Sequence, residues 1–177
     1  SAVMEVTSHA LDQRRVDCIE YDVAIFSNLT LDHLDYHGTM ESYGNAKKKL
    51  FDRLGKERKK KKGATAIINR DSPWSALMTR DCSATILSYG IDNPADIRAH
   101  DIRYEGNQTV AMVTFRGETV ECSWPFVGRF NVYNCLSAMG VALSQGETLQ
   151  KVGGLMSQIP HVRGRLEPVE NNLGLKI

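Results

Sequence analysis

A carboxylate at Glu5, two histidines at His33 and His37 flanking Asp35, and a lysine at Lys47 have the types for metal-ion chemistry. Glu5 lies near the end of the apolar run 2–6, just before Thr7-Ser8-His9. A carboxylate at a strand end either faces solvent or holds a cation. His33 and His37 have a spacing that can bind zinc, although no glutamate-containing metalloprotease motif accompanies them. Taken singly, each histidine reads as a hydrogen-bonding loop residue. A zinc hydrolase built on Glu5, His33 and His37 is therefore one reading of this part of the chain.

Lys47 stands out on helical geometry. At roughly 100° per residue, Met40, Tyr43, Leu50, Phe51 and Leu54 fall on one stripe of a helix over 40–54, and Lys47 lies within it. Lys48 and Lys49 are expected to point away. A lysine on an apolar stripe either snorkels, with its stem packed and its ammonium in water, or is buried and chemically altered. Burial disfavours the charged form, and a neutral amine reacts with carbon dioxide. The resulting carbamate has two anionic oxygens suited to a hard cation such as magnesium.

The elements that must position these residues alternate. Short apolar runs at 2–6, 23–26, 64–68 and 85–88 read as buried strands, and 40–54 and 72–79 as helices between them. Thr39, with Ser42 nearby, provides a cap for the first of these helices. Residues 9–16 form a short helix or loop, and 28–38 a loop. From 97 to 122 the pattern becomes β-rich, with turns at Gly106-Asn107 and Arg116-Gly117 that predict antiparallel strands. Helices return over 131–143 and 149–157. The expected fold class is α/β: a mostly parallel sheet covered on both faces, with a small antiparallel segment. In such sheets the working residues gather at the carboxyl ends of the strands, where Glu5 and 28–33 fall.

The 177 residues suit one domain, and an apolar content of 42% supports a real core. Charge is nearly balanced, with 22 basic and 21 acidic residues, which favours neither nucleic acid nor a membrane surface. No apolar run is long enough to span a bilayer. The exception in charge is the lysine-rich run 56–62, read as a solvated loop, with polyanion binding as its rival. Cys18, Cys82, Cys122 and Cys135 lie far apart without a Cys-x-x-Cys pair, as expected of free thiols in a reducing cytoplasm.

Longer segments carry a family resemblance. Met4-Glu5-Val6-Thr7-Ser8-His9-Ala10-Leu11-Asp12-Gln13-Arg14-Arg15-Val16 resembles a signature of the UDP-N-acetylmuramoyl-tripeptide synthetases of the Mur ligase family, with Thr7 where serine is usual. Asn28-Leu29-Thr30-Leu31-Asp32-His33-Leu34-Asp35-Tyr36-His37-Gly38 is similar to their second signature. Tyr43-Gly44-Asn45-Ala46-Lys47-Lys48-Lys49-Leu50-Phe51 resembles the segment bearing their carbamylated lysine. Gly128-Arg129-Phe130-Asn131-Val132-Tyr133-Asn134 looks like their adenine-contacting motif, and Gly164-Arg165-Leu166-Glu167 like the close of their central domain. The resemblances run in family order over nearly the whole chain.

The resemblance implies a three-layer central domain over 1–170, with 171–177 leading toward a further domain. It implies peptidoglycan biosynthesis in the cytoplasm. There, an ATP-dependent ligase extends UDP-N-acetylmuramoyl-L-alanyl-D-glutamate by a diamino acid, meso-diaminopimelate or lysine, through an acyl phosphate. Glu5, His33 and carbamylated Lys47 would form and support a magnesium site. Thr7, Gln13 and Arg15 would hold the muramoyl-peptide, and Asn131, Asn134 and Arg165 would meet ATP. The asparagines, three apart and so on one side of a helix start, otherwise read as capping amides, and Arg165 as a partner of Glu167. No Gly-Lys-Thr/Ser phosphate loop occurs in the 177 residues, nor do the family's UDP-binding and amino-acid-selecting domains. The chain by itself is therefore expected to be inactive.

Overall fold

The structure, a computed structural model, describes residues 1–31, 34–56 and 63–160. Asp32, His33, Arg165, Glu167, the lysine run from 57 to 62 and the expected 171–177 linker lie outside the described residues.

One six-stranded sheet organises the chain, in the order β1 (Val23–Phe26), β2 (Thr65–Asn69), β3 (Thr85–Gly90), β4 (Ile97–Glu105), β5 (Gln108–Phe115), β6 (Glu118–Trp124). The first four strands pair in parallel and the last three antiparallel. The β-rich segment is thus a continuation of the parallel sheet, joined through Tyr89 opposite Ile97 and Gly90 opposite Arg98.

Both faces of the central strands are covered, which is why β2 reads as an unbroken apolar run. Ala66 and Ile68 pack with Phe51 of α3 (Met40–Arg53), Leu54 just after it, and Met78 of α4 (Ser75–Thr79). Ile67, on the opposite face, packs with Leu136 and Met139 of α5 (Arg129–Ser144). A Cβ at Gly140 of α5 would come within 3.0 Å of Ile67, so this glycine lets the helix lie directly on the sheet. α6 (Leu149–Met156) covers β6. The α5 layer stops short of β1, where Ile25 is 42% exposed.

Two short helices bring the first segments of the chain onto α3. Thr7 caps α1 (Ser8–Asp12), its Oγ1 accepting from Ala10 N at 3.1 Å. α2 (Leu34–His37) is a single turn inside the segment expected to be all loop. Thr39 caps α3 as its sequence predicts, accepting from Ser42 N at 3.1 Å.

Two expectations are corrected. Residues 2–6 do not form a strand: Val3 is 97% exposed and Met4 50%. An apolar run becomes a strand only with a ladder partner, and β1, the edge strand, pairs only with β2 among the described residues. Lys48 does not point away from the packed side of α3 but is buried, 7% exposed. The physical reason is that α3 is covered on more than one side. Gly44, one turn earlier on the same flank, lies against Trp74 and Leu77 of the α4 segment, so Lys48 is enclosed too. It pairs there with Asp52 and Asp81.

Candidate functional site

The carboxyl ends of the parallel strands are knitted together by polar side chains. Asn69 Nδ2, at the end of β2, donates to Ser27 O beyond β1 at 2.8 Å. Ser72 Oγ donates to Asn28 Oδ1 at 2.9 Å. Tyr89 Oη of β3 donates to Phe26 O at 3.2 Å. These bonds hold the start of the segment that leads to His33.

Around that frame, α1, α2 and α3 converge. Ser8 is fully buried and its Oγ lies 2.9 Å from His37 Nε2. His37 stacks on Tyr43 of α3, with ring centroids 5.4 Å apart. Tyr36 Oη donates to Asp12 at 3.0 Å, Gln13 Nε2 reaches Tyr36 Oη at 3.5 Å, and Lys49 Nζ donates to Asp12 at 2.6 Å. The two segments singled out by sequence are therefore fastened to each other and to the lysine helix.

Lys47 reaches out of α3 toward the segment before α1, donating from Nζ to Val6 O at 3.1 Å. Burial pushes its ammonium below the ordinary lysine pKa, and the nearby Glu5 carboxylate opposes that shift only in part. Glu5 is itself exposed, as are Gln13 and Arg15. Glu5, Lys47, Thr7 and Gln13 thus lie within one junction of α1 with α3. Arg15, just beyond α1, belongs to the turn fastened by its N–H to Ala10 O at 2.8 Å. His33, the remaining candidate of this group, lies outside the described residues. Among the described residues no three His, Cys, Asp or Glu side chains cluster as metal ligands. Glu5 and Lys47 are one carboxylate and one amine, and an amine suits a hard cation only after it has become an oxygen donor.

The second place is the start of α5. Asn131 is buried and its Nδ2 donates to Val127 O at 2.8 Å, while Asn134 Nδ2 donates to Asn131 Oδ1 at 3.3 Å. Neither amide caps the helix, whose N-cap is Gly128 with φ 96° and no side-chain bond. Both line an open groove of about 450 Å³ with Phe126, Phe130 and Ile159. Apolar walls with two directed amides suit a flat heteroaromatic ring. Arg165, expected beside them, lies outside the described residues.

Asp71, just past β2, escaped the sequence reading. Its carboxylate accepts from the N–H of Ile91 at 2.6 Å, Asp92 at 3.0 Å and Asn93 at 2.8 Å. It also accepts from Asn93 Nδ2 and from Tyr133 Oη, each at 2.9 Å. Burial alone would raise its pKa. The bonds from Ile91, Asn93 and Asp92 outweigh that and bring it down to about 2. A lone aspartate after a strand carries no periodic signal, so only the fold shows its partners.

Residues 1–142 match the Mur ligase middle domain. The chain is 42% identical over 173 residues to the UDP-N-acetylmuramoyl-L-alanyl-D-glutamate–2,6-diaminopimelate ligase of Bacillus velezensis, covering 97% of this chain and 35% of that protein. It is 38% identical over 177 residues to the enzyme of the same name from Geobacter sulfurreducens, again covering 35% of it. A solved structure of a ligase of that name superposes with a TM-score of 0.80 at 28% identity, over 94% of this chain and 34% of that one. The MurF ligase of Acinetobacter baumannii shares the fold, with a TM-score of 0.75 at 22% identity, over 87% of this chain and 32% of that one. The chain thus spans about 35% of the length of the curated relatives it matches. On sequence and fold together, it belongs to the Mur ligase family and represents a stretch of its middle domain.

Proposed function

We propose that this chain forms the lysine-and-substrate junction and the adenine-contacting helix of an ATP-dependent ligase. That ligase adds 2,6-diaminopimelate to UDP-N-acetylmuramoyl-L-alanyl-D-glutamate in peptidoglycan biosynthesis. The names of the relatives support the substrates. The observation that carries the reading is Lys47, partly desolvated beside Glu5 with its Nζ on Val6 O.

A lysine of lowered basicity has more neutral amine available to attack carbon dioxide. The new N–C bond gives a carbamate, and the displaced proton leaves to solvent. Lys47 is then an oxygen donor, and with Glu5 and His33 it would hold magnesium. When bound, the metal supplies positive charge to the phosphate and carboxylate oxygens that must approach each other. The chemistry itself is phosphorylation of the free substrate carboxylate by ATP, attack of the incoming amine on the acyl phosphate, and loss of phosphate.

The chain's own residues bind and orient. Thr7 Oγ1 accepts the α1 cap bond, and its O–H is a donor for the muramoyl-peptide. Gln13 adds an amide, and Arg15 a guanidinium for an anionic group. Asn131 and Asn134 offer donor and acceptor atoms to the adenine edge, beside Phe126 and Phe130. Arg165 would meet ATP beyond them. The phosphates need a cradle that these residues do not provide, so the isolated chain is expected not to ligate.

The test is the intact protein that carries this chain. ATP-dependent formation of the tripeptide product, abolished by Lys47→Ala, supports the reading; unchanged turnover by that variant overturns it.

A further inference from the structure

Asp71 and Tyr133 connect two parts of the fold that the ligase reading treats separately. Tyr133 lies on α5 between Asn131 and Asn134, and its hydroxyl donates to Asp71 at 2.9 Å. Beside it, Arg129 pairs with Asp92 and lies over the Tyr133 ring, 5.7 Å from its centroid. Asp92 belongs to the 91–93 turn whose three N–H groups Asp71 collects. The start of α5 is therefore tied to the ends of β2 and β3 at two points, Tyr133 on Asp71 and Arg129 on Asp92, and Asp71 holds the turn that carries Asp92. On the other side, the segment around Asp71 reaches Ser27 and Asn28 through Asn69 and Ser72.

The geometry of the helix makes this latch consequential. Gly128 starts α5 without a side-chain cap, so the rotation of its first turn is set by bonds from the helix to its surroundings, Asn131 to Val127 O and Tyr133 to Asp71 among them. Side-chain tips lie about 6 Å from a helix axis, and a rotation of about 20° moves them by roughly 2 Å. That displacement is enough to break a hydrogen bond to a bound ring.

We propose that Asp71 is a positioning residue for nucleotide binding, acting through Tyr133 to set the rotation of α5 and so the direction of Asn131 and Asn134. The inference rests on reading those asparagines as adenine contacts. Asp71 also builds the 91–93 turn, and the two roles separate cleanly: Tyr133→Phe removes the direct bond to Asp71 and leaves every bond from the turn to Asp71, and the Arg129–Asp92 pair, in place. Asp71→Asn weakens both, because an amide presents donors where the carboxylate accepted.

The experiment uses the intact protein, with ATP affinity measured by calorimetry and tripeptide formation by steady-state kinetics. Tyr133→Phe is expected to raise the Kd and KM for ATP about fivefold and Asp71→Asn about tenfold. For both variants, kcat and the KM for the muramoyl-dipeptide are expected to stay within about twofold of the unmodified protein. Tyr133→Phe and Asn134→Ala should be non-additive on the Kd for ATP, since both act on the same contact. An unchanged Kd for Tyr133→Phe, additivity with Asn134→Ala, or a parallel fall in kcat and both affinities would overturn the proposal. So would absence of ATP binding by the unmodified protein. ATP binding without tripeptide formation would sink the ligase reading and leave the latch standing on its Kd values.

Discussion

Lys47 Nζ lies 3.1 Å from the carbonyl oxygen of Val6, a contact that joins residues 41 positions apart. It places a half-buried amine beside Glu5, at the point where the chain enters the α1 cap. The neighbouring lysines are spent elsewhere, Lys48 on Asp52 and Asp81 and Lys49 on Asp12. Three consecutive side chains of one type thus have three different environments, and burial lowers the basicity of Lys47.

In the intact ligase, Lys47→Ala should lower kcat by about a hundredfold or more, the scale of losing a preorganised charge at a transferring group. Small carboxylic acids should restore part of it by supplying the missing oxygens. Steady-state rates with and without added acetate check this, and an absence of any rescue would count against the carbamate.

Lys48 should behave differently. Lys48→Met, which keeps the packed stem, should cost less stability than Lys48→Ala and leave catalysis near normal, since a paired buried lysine is replaceable by an apolar chain of similar volume. Urea unfolding of the two variants and one activity measurement suffice. A loss of activity like that of Lys47→Ala would show that the two positions are not distinct.

Ser8→Ala should destabilise the chain by about 1–2 kcal/mol, the cost of removing a buried hydrogen-bond partner. Ser8 is fully buried against His37, so the change loosens α1 from α2. Denaturant midpoints measure it directly, and a midpoint equal to that of the unmodified chain would show that this bond does not hold the two segments.

Asp71 gives the chain an acid-sensitive element. Its pKa falls from 3.8 to about 2 on folding, so the folded state favours the charged carboxylate. The associated stability is fully present above the unfolded pKa and is lost as pH falls from about 4 through about 2. Solvent screening leaves about 1 kcal/mol of it. Asp71→Asn should flatten the stability curve across that window while lowering stability at neutral pH. Thermal unfolding as a function of pH reads both, and an unchanged acid slope would refute the assignment.

Asn134→Ala should raise the KM for ATP about tenfold with little change in the KM for the muramoyl-dipeptide, the effect of losing one directed amide from a binding groove. Kinetics with each substrate varied in turn decide it. Equal changes in both constants would remove Asn134 from the nucleotide side.

Local sequence rules were sufficient wherever neighbours along the chain decide the outcome. The run 65–69 is apolar on both faces because helices cover both, and it is a central strand. Thr39 caps α3 by reaching Ser42, three residues on. The turns at Gly106 and Gly117 have positive φ and join the antiparallel strands as their types predict. Residues 2–6 failed the same rules because a ladder needs a partner that no local pattern supplies.

The sequence by itself determined which residue types were available and the order in which the α/β elements follow. It also singled out Lys47 by its place on an apolar stripe, and the ordered segments pointed to the family. Tertiary structure alone decided that Lys48 is buried against Asp52 and Asp81 and that Lys49 reaches Asp12. The periodicity of one helix describes one packed stripe, whereas α3 is covered by both α1 and α4. Tertiary structure alone also joined Asp71 to Tyr133, 62 positions away. A carboxylate's partners are set by which strand ends meet in space, and no spacing along the chain encodes that.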